Sequence, residues 1–130
     1  MSDAAWELQK AVYDALSVPG AVAAPVYDDV PQGAAMPYVA IGDSTIAPAG
    51  SKTEDGEDHS LTLHVWSQYA GRREVKELLG QIKAALHNRP LPLTGHTLVR
   101  LRFDFVTDFA DAGEQTRHGV IRFAALTNPA

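Results

Sequence analysis

The chain has 130 residues, 45% of them hydrophobic, and eleven Lys and Arg against sixteen Asp and Glu give it a net charge of −5. That size and balance describe one globular domain spanning residues 1–130, with enough chain to bury a core, and exclude disordered and fibrous proteins. The acidic balance also speaks against a dedicated DNA-binding module, and the lack of cysteine removes disulfides, thiolate zinc sites, iron–sulfur clusters and cysteine nucleophiles together.

Met1-Ser2-Asp3-Ala4 has no basic leader ahead of an apolar run, so no secretory signal is expected and a cytosolic chain is. No apolar run reaches the roughly eighteen residues of a membrane span. Ala5, Leu8, Val12 and Leu16 fall at helical spacing and predict a helix over 5–16, with Trp6 and Tyr13 widening its apolar stripe. Ser2 or Asp3 is its expected cap, and Pro19-Gly20 its stop. Val26-Tyr27 reads as a short strand, and Tyr38-Val39-Ala40-Ile41-Gly42 as a second that ends in turn residues. Residues 47–58, rich in turn formers and acids, predict a long exposed, flexible loop.

From His59 to Gln68, Leu61, Leu63 and Val65 alternate with Thr62, His64 and Trp66, the period of a half-buried strand. After Gly71, Val75, Leu78, Leu79, Ile82 and Leu86 form a helical core stripe, Arg73 and Glu77 an i,i+4 pair, and Gly80 a point of close approach to the sheet. Asn88 and Pro90 end that helix. A fourth strand follows Gly95, with Val99, Leu101, Phe103 and Phe105 inward and Arg100, Arg102 and Asp104 outward. Asp111-Ala112-Gly113 marks a hairpin loop, and a fifth strand over about 116–126 turns Ile121, Phe123 and Ala125 inward and His118 and Arg122 outward. The expected fold is α+β: a mixed, largely antiparallel sheet of about four to five strands with two helices packed on one face. The helix between the third and fourth strands would allow a parallel crossover pair there.

Three constellations suggest catalysis or ligand binding and fail on spacing. Gly42-Asp43-Ser44 resembles the opening of a lipolytic serine hydrolase, but Gln115 and Gly56 stand where an Asp-x-x-His base would need its aspartate before His118 and His59. Gly50-Ser51-Lys52-Thr53 lacks the glycine spacing and the following helix of a phosphate loop. Glu54, Asp55, Glu57 and Asp58 lack the offsets of a calcium loop, and His59, His64, His87, His96 and His118 show no metal-site pairing; His59 and His118 read as surface histidines. No catalytic residue, cofactor or metal is expected. One pattern points to function: an outer sheet face with His64 and Trp66, Arg100 and Arg102, His118 and Arg122. Trp and Arg are the residue types enriched where protein surfaces meet.

Several segments together carry a family resemblance. They are Leu8-Gln9-Lys10-Ala11-Val12-Tyr13, Val26-Tyr27-Asp28-Asp29-Val30-Pro31-Gln32-Gly33, Met36-Pro37-Tyr38-Val39-Ala40-Ile41-Gly42, Lys52-Thr53-Glu54-Asp55-Gly56-Glu57, Leu61-Thr62-Leu63-His64-Val65-Trp66-Ser67 and Thr116-Arg117-His118-Gly119-Val120-Ile121-Arg122-Phe123. The chain resembles the tail-terminator, or tail-completion, proteins of long-tailed phages and of phage-like gene transfer agents. The resemblance implies a non-enzymatic virion assembly protein, typically a hexameric ring, that caps the tail tube, ends its elongation and offers a docking surface to the head connector. It implies tail tube protein and neck proteins as partners, DNA passing through the lumen without specific binding, and a place in the host cytoplasm before the virion's tail–head junction. Lys52 and Thr53, with His64, Trp66, Arg100, Arg102 and Arg122, are then the expected interface residues. Alternatives are a head–tail joining or head-completion neck protein and, from another class, a small serine hydrolase using Ser44.

Overall fold

The computed structural model describes residues 4–49, 56–110 and 116–130. Two helices, α1 (Ala5–Leu16) and α2 (Arg73–Leu86), accompany strands β1 (Val26–Tyr27), β2 (Tyr38–Pro48), β3 (Glu57–Ser67), β4 (His96–Ala110) and β5 (Arg117–Pro129). The strands form one sheet in the order β1-β2-β3-β5-β4, in which β1 runs parallel to β2 and the other neighbours are antiparallel. Both helices lie on one face, where Leu8, Val12 and Leu16 of α1 and the five expected apolar residues of α2 join Leu63, Val65, Leu101, Ile121 and Phe123 in a single core.

Helix α2 covers the sheet closely because β5 carries Gly119 beneath it. A Cβ there would stand 2.8 Å from Leu79 Cδ1 and 2.8 Å from Val75 Cγ2, closer than carbon atoms pack. Gly80, expected to provide that approach, faces outward with nothing near its Cα hydrogens, so the close contact is made by the strand's glycine. The helix is fastened at its start by Asp108 of β4, which accepts hydrogen bonds from Lys76 Nζ at 3.0 Å and Arg72 Nη1 at 2.8 Å. The bond from Lys76 first, then Arg72, holds that carboxyl below its ordinary range against an opposing push from burial. At its end Asn88 takes a left-handed φ of 59° and donates its amide to the Leu101 carbonyl, tying the end of the helix to β4.

Several expectations are corrected. Strand β2 does not stop at Gly42: Gly42 and Asp43 together oppose Thr62, a β-bulge, and pairing resumes at Ser44 and continues to Pro48. The loop expected over 47–58 is therefore shorter at both ends, since Ala47 pairs with Asp58 and Pro48 with Glu57; residues 50–55 lie outside the described residues. No parallel β3/β4 pair forms, because β5 folds back from β4 and occupies the place beside β3. Trp6 is 60% exposed and Tyr13 also faces out, so the buried stripe of α1 is Leu8, Ala11, Val12 and Leu16. The proposed caps Ser2 and Asp3 and the 111–113 hairpin loop lie outside the described residues.

Strand β4 departs from simple alternation twice. Val99 and Asp104 are extra residues opposite β5, and each insertion reverses the strand's phase. Leu101 and Phe103 oppose Ala125 and Phe123 on the core face as expected, but Phe105 opposes Arg122 and lies on the outer face, while Val99 is 47% exposed.

Candidate functional site

The face of the sheet away from the helices gathers the singled-out side chains. Strand β3 supplies Thr62, His64 and Trp66, β5 supplies His118 and Arg122, and β4 supplies Arg100, Arg102, Phe105 and Phe109. Register brings them together, for Trp66 lies opposite His118, His118 opposite Phe109, Thr62 opposite Arg122, and Arg122 opposite Phe105.

The result is a stacked layer. The Trp66 and His118 rings lie 3.8 Å apart between centroids and 16° from parallel, and Phe109 leans on His118 at 4.9 Å. His64 Nδ1 and His118 Nε2 share a 2.8 Å hydrogen bond, so one ring nitrogen donates and the other accepts. Only one hydrogen fits between them. Burial lowers the pKa of His64, with the Asp43 carboxylate pulling the other way. Room for this ring comes from the β2 bulge, since a Cβ on Gly42 would stand 2.7 Å from His64 Cδ2 and Nε2. Nearer the sheet centre Arg122 places its guanidinium 4.9 Å from the Phe105 ring centroid, and its buried Nε has no hydrogen-bond acceptor among the described residues.

Of the expected interface residues, His64, Trp66 and Arg122 are half-buried within this layer, whereas Arg100 and Arg102 are exposed and make no ion pair among the described residues. Lys52 and Thr53 lie outside the described residues. Sequence alternation found the polar members of the face but missed Gly42, Phe105 and Phe109. An isolated glycine within a strand pattern was the available signal for the bulge. His59 is not a surface histidine, since it is buried and shares a 2.9 Å bond with Thr127 Oγ1, whereas His118 stays half-exposed on the outer face, held by His64 and Trp66.

Ser44 sits within β2 opposite Leu61, where no helix follows to form a nucleophile elbow. His59 bonds Thr127, His64 and His118 bond each other, and His87 bonds Asn88 and accepts from the Phe103 amide. Among the described residues no three histidine or carboxylate side chains converge as a metal ion requires.

Comparison with known proteins gives four findings. A family model described as "Tail completion protein gp17" matches residues 10–128. The tail completion protein gp17 of Bacillus phage SPP1 is 31% identical over 92 residues, covering 71% of this chain and 68% of that protein. Among solved structures, a chain in the virion of a native gene transfer agent particle superimposes with a TM-score of 0.88 at 29% identity, over 98% of this chain and 99% of that one. The structure of bacteriophage SPP1 gp17 superimposes with a TM-score of 0.61 at 26% identity, over 96% and 95% of the two chains.

Proposed function

The chain belongs to the tail completion protein gp17 family, and from that premise we propose that copies of it close into a ring, six in number as the family resemblance implies, on the end of a phage-type tail tube. The ring stops tube elongation and presents a docking surface to the head connector. Its work is structural, without a catalytic step. The observation that supports this reading most is the near end-to-end likeness to a chain in the virion of a native gene transfer agent particle. The outer sheet face with Arg100, Arg102, Arg122, His64 and Trp66 is the contact surface, and Lys52 and Thr53 meet a neighbouring copy or the tube. DNA crosses the lumen without being gripped, because a net charge of −5 on each copy repels the polyanion. Assembly takes place in the host cytoplasm, and the finished place is the tail–head junction.

Electron microscopy of particles made without the protein tests this. Overlong or headless tails are the expected result. Tailless, leaking heads would reassign the chain to head completion, and normal particles would overturn the reading. Ester hydrolysis that is lost in Ser44→Ala would overturn its non-catalytic part.

A further inference from the structure

The two edges of the sheet are unlike each other and fit one another. At the β1 edge, Trp6 and Tyr13 of α1 and Tyr27 of β1 line a groove of about 390 Å³, and the exposed Asp28 and Asp29 give it an acidic lip, with Lys10 also in its lining. Both aspartates are exposed, and Gln9 Nε2 fixes Asp28 with a 3.0 Å hydrogen bond. A 60% exposed tryptophan beside a half-open tyrosine is apolar surface that folding has not used.

The opposite edge is β4, the last strand in the sheet order. Its two bulges bring Arg100 and Arg102, between them, and Phe105 and Phe109, after the second, to the same outer face, with Phe105 at 42% and Phe109 at 40% exposure. Neither Arg100 nor Arg102 has an ion-pair partner among the described residues. The middle of this edge is closed to strand addition, because Asn88 takes the Leu101 carbonyl and His87 the Phe103 amide. Contact here is therefore made by side chains rather than by continuing the sheet. One edge offers an aromatic groove with an acidic lip, the other an aromatic strand with two exposed arginines.

We infer that these edges are the two halves of one contact: the β4 stripe of one copy seats in the α1–β1 groove of the next, Arg100 and Arg102 against Asp28 and Asp29, and Phe105 over Trp6 and Tyr13. The inference rests on the ring reading above and gives it a geometry. Different patches meet, so the contact is heterologous, and each added copy leaves one groove and one stripe open until rotation closes the ring. Charge pairing at the lip sets orientation and register, and the aromatic contact supplies the buried area.

The cysteine-free chain allows a direct test. Purified Asp29→Cys/Arg102→Cys protein at high concentration is treated with a short bismaleimide, since an Arg–Asp pair holds backbones farther apart than a disulfide can span. The two positions lie on opposite edges, so a ladder at multiples of 14.0 kDa, trimer and above, is expected, while each single-cysteine variant stops at dimer. Adding Arg100→Glu should reduce the higher rungs about tenfold, and adding Asp28→Lys as well should restore them. Circular dichroism checks that these exposed substitutions keep the fold. A double variant that gives no more than the single ones, or a ladder indifferent to both reversals, overturns the contact. Either result leaves the tail phenotype of the deletion intact; a normal particle in the deletion would instead overturn the ring function and leave the ladder standing.

Discussion

The helix-covered face of the sheet holds Leu63, Leu101, Ile121 and Phe123 at 1% exposure or less, whereas the same strands carry His64, Trp66, His118 and Arg122 half-open on the other side. Both faces are well organised, but by different forces. The first is dry and apolar, and its energy comes from area removed from water. The second is held by ring stacking, one shared proton and a cation over a ring, interactions that each contribute about 1 kcal/mol or less in partly wet surroundings. Folding needs the first face and leaves the second open to other work.

Phe123→Ala should break the comparison at its stronger side, lowering unfolding free energy by about 3–5 kcal/mol in urea titrations. Gly119→Ala should cost about 1–3 kcal/mol, because the added carbon pushes on Leu79 and Val75 in a core that cannot yield freely. On the outer face, Trp66→Ala should cost only about 1 kcal/mol, the value of its stack on His118 plus modest area. A loss for Trp66→Ala as large as for Phe123→Ala would show that the open face also holds the fold together.

The smallest effect should be a dependence on pH. The folded state lowers the pKa of His64, so below the ordinary histidine value the unfolded chain binds more protons. Stability from this group is therefore complete above the unfolded pKa of about 6.5 and is lost as pH falls through the lower folded value. Asp43 from β2 and His118 from β5 face the ring, the aspartate opposing the loss and His118 sharing the hydrogen bond with it. Melting of the native chain should fall between pH 7.5 and 5 more than that of His64→Gln. Parallel curves would assign the slope to carboxylates elsewhere.

Periodicity in the sequence located α1 to the residue, the apolar stripe of α2 and the inward sets of β3 and β5, because each keeps one period along its length. It failed where one inserted residue changes the phase. Val99 and Asp104 are ordinary residue types, and nothing in their identity announces a bulge that carries Phe105 to the far side. Glycine posed a related difficulty: Gly80 and Gly119 look alike in a sequence, and only the neighbour each faces decides which one lets α2 approach. In the candidate site, the outward placement of His64, Trp66, Arg100, Arg102 and Arg122 follows from alternation on single strands. The Trp66–His118 stack does not, since it depends on the register of two strands 52 residues apart in numbering and on which strand became β3's neighbour.

The sheet order carries a consequence for how the molecule is made. Strand β5 lies between β3 and β4, yet it is the last of the five in chain order. During synthesis β3 and β4 emerge in turn with no partner between them, and long-range pairing of this kind is slow to form. Until β5 arrives, Trp66 lacks its histidine, Arg122 is absent, and Phe109 has nothing to lean on. A copy cut short before β5 thus has neither a closed core nor the aromatic layer of its outer face. Completion of the outer surface therefore waits for β5, and any contact made through that face excludes copies cut short before it.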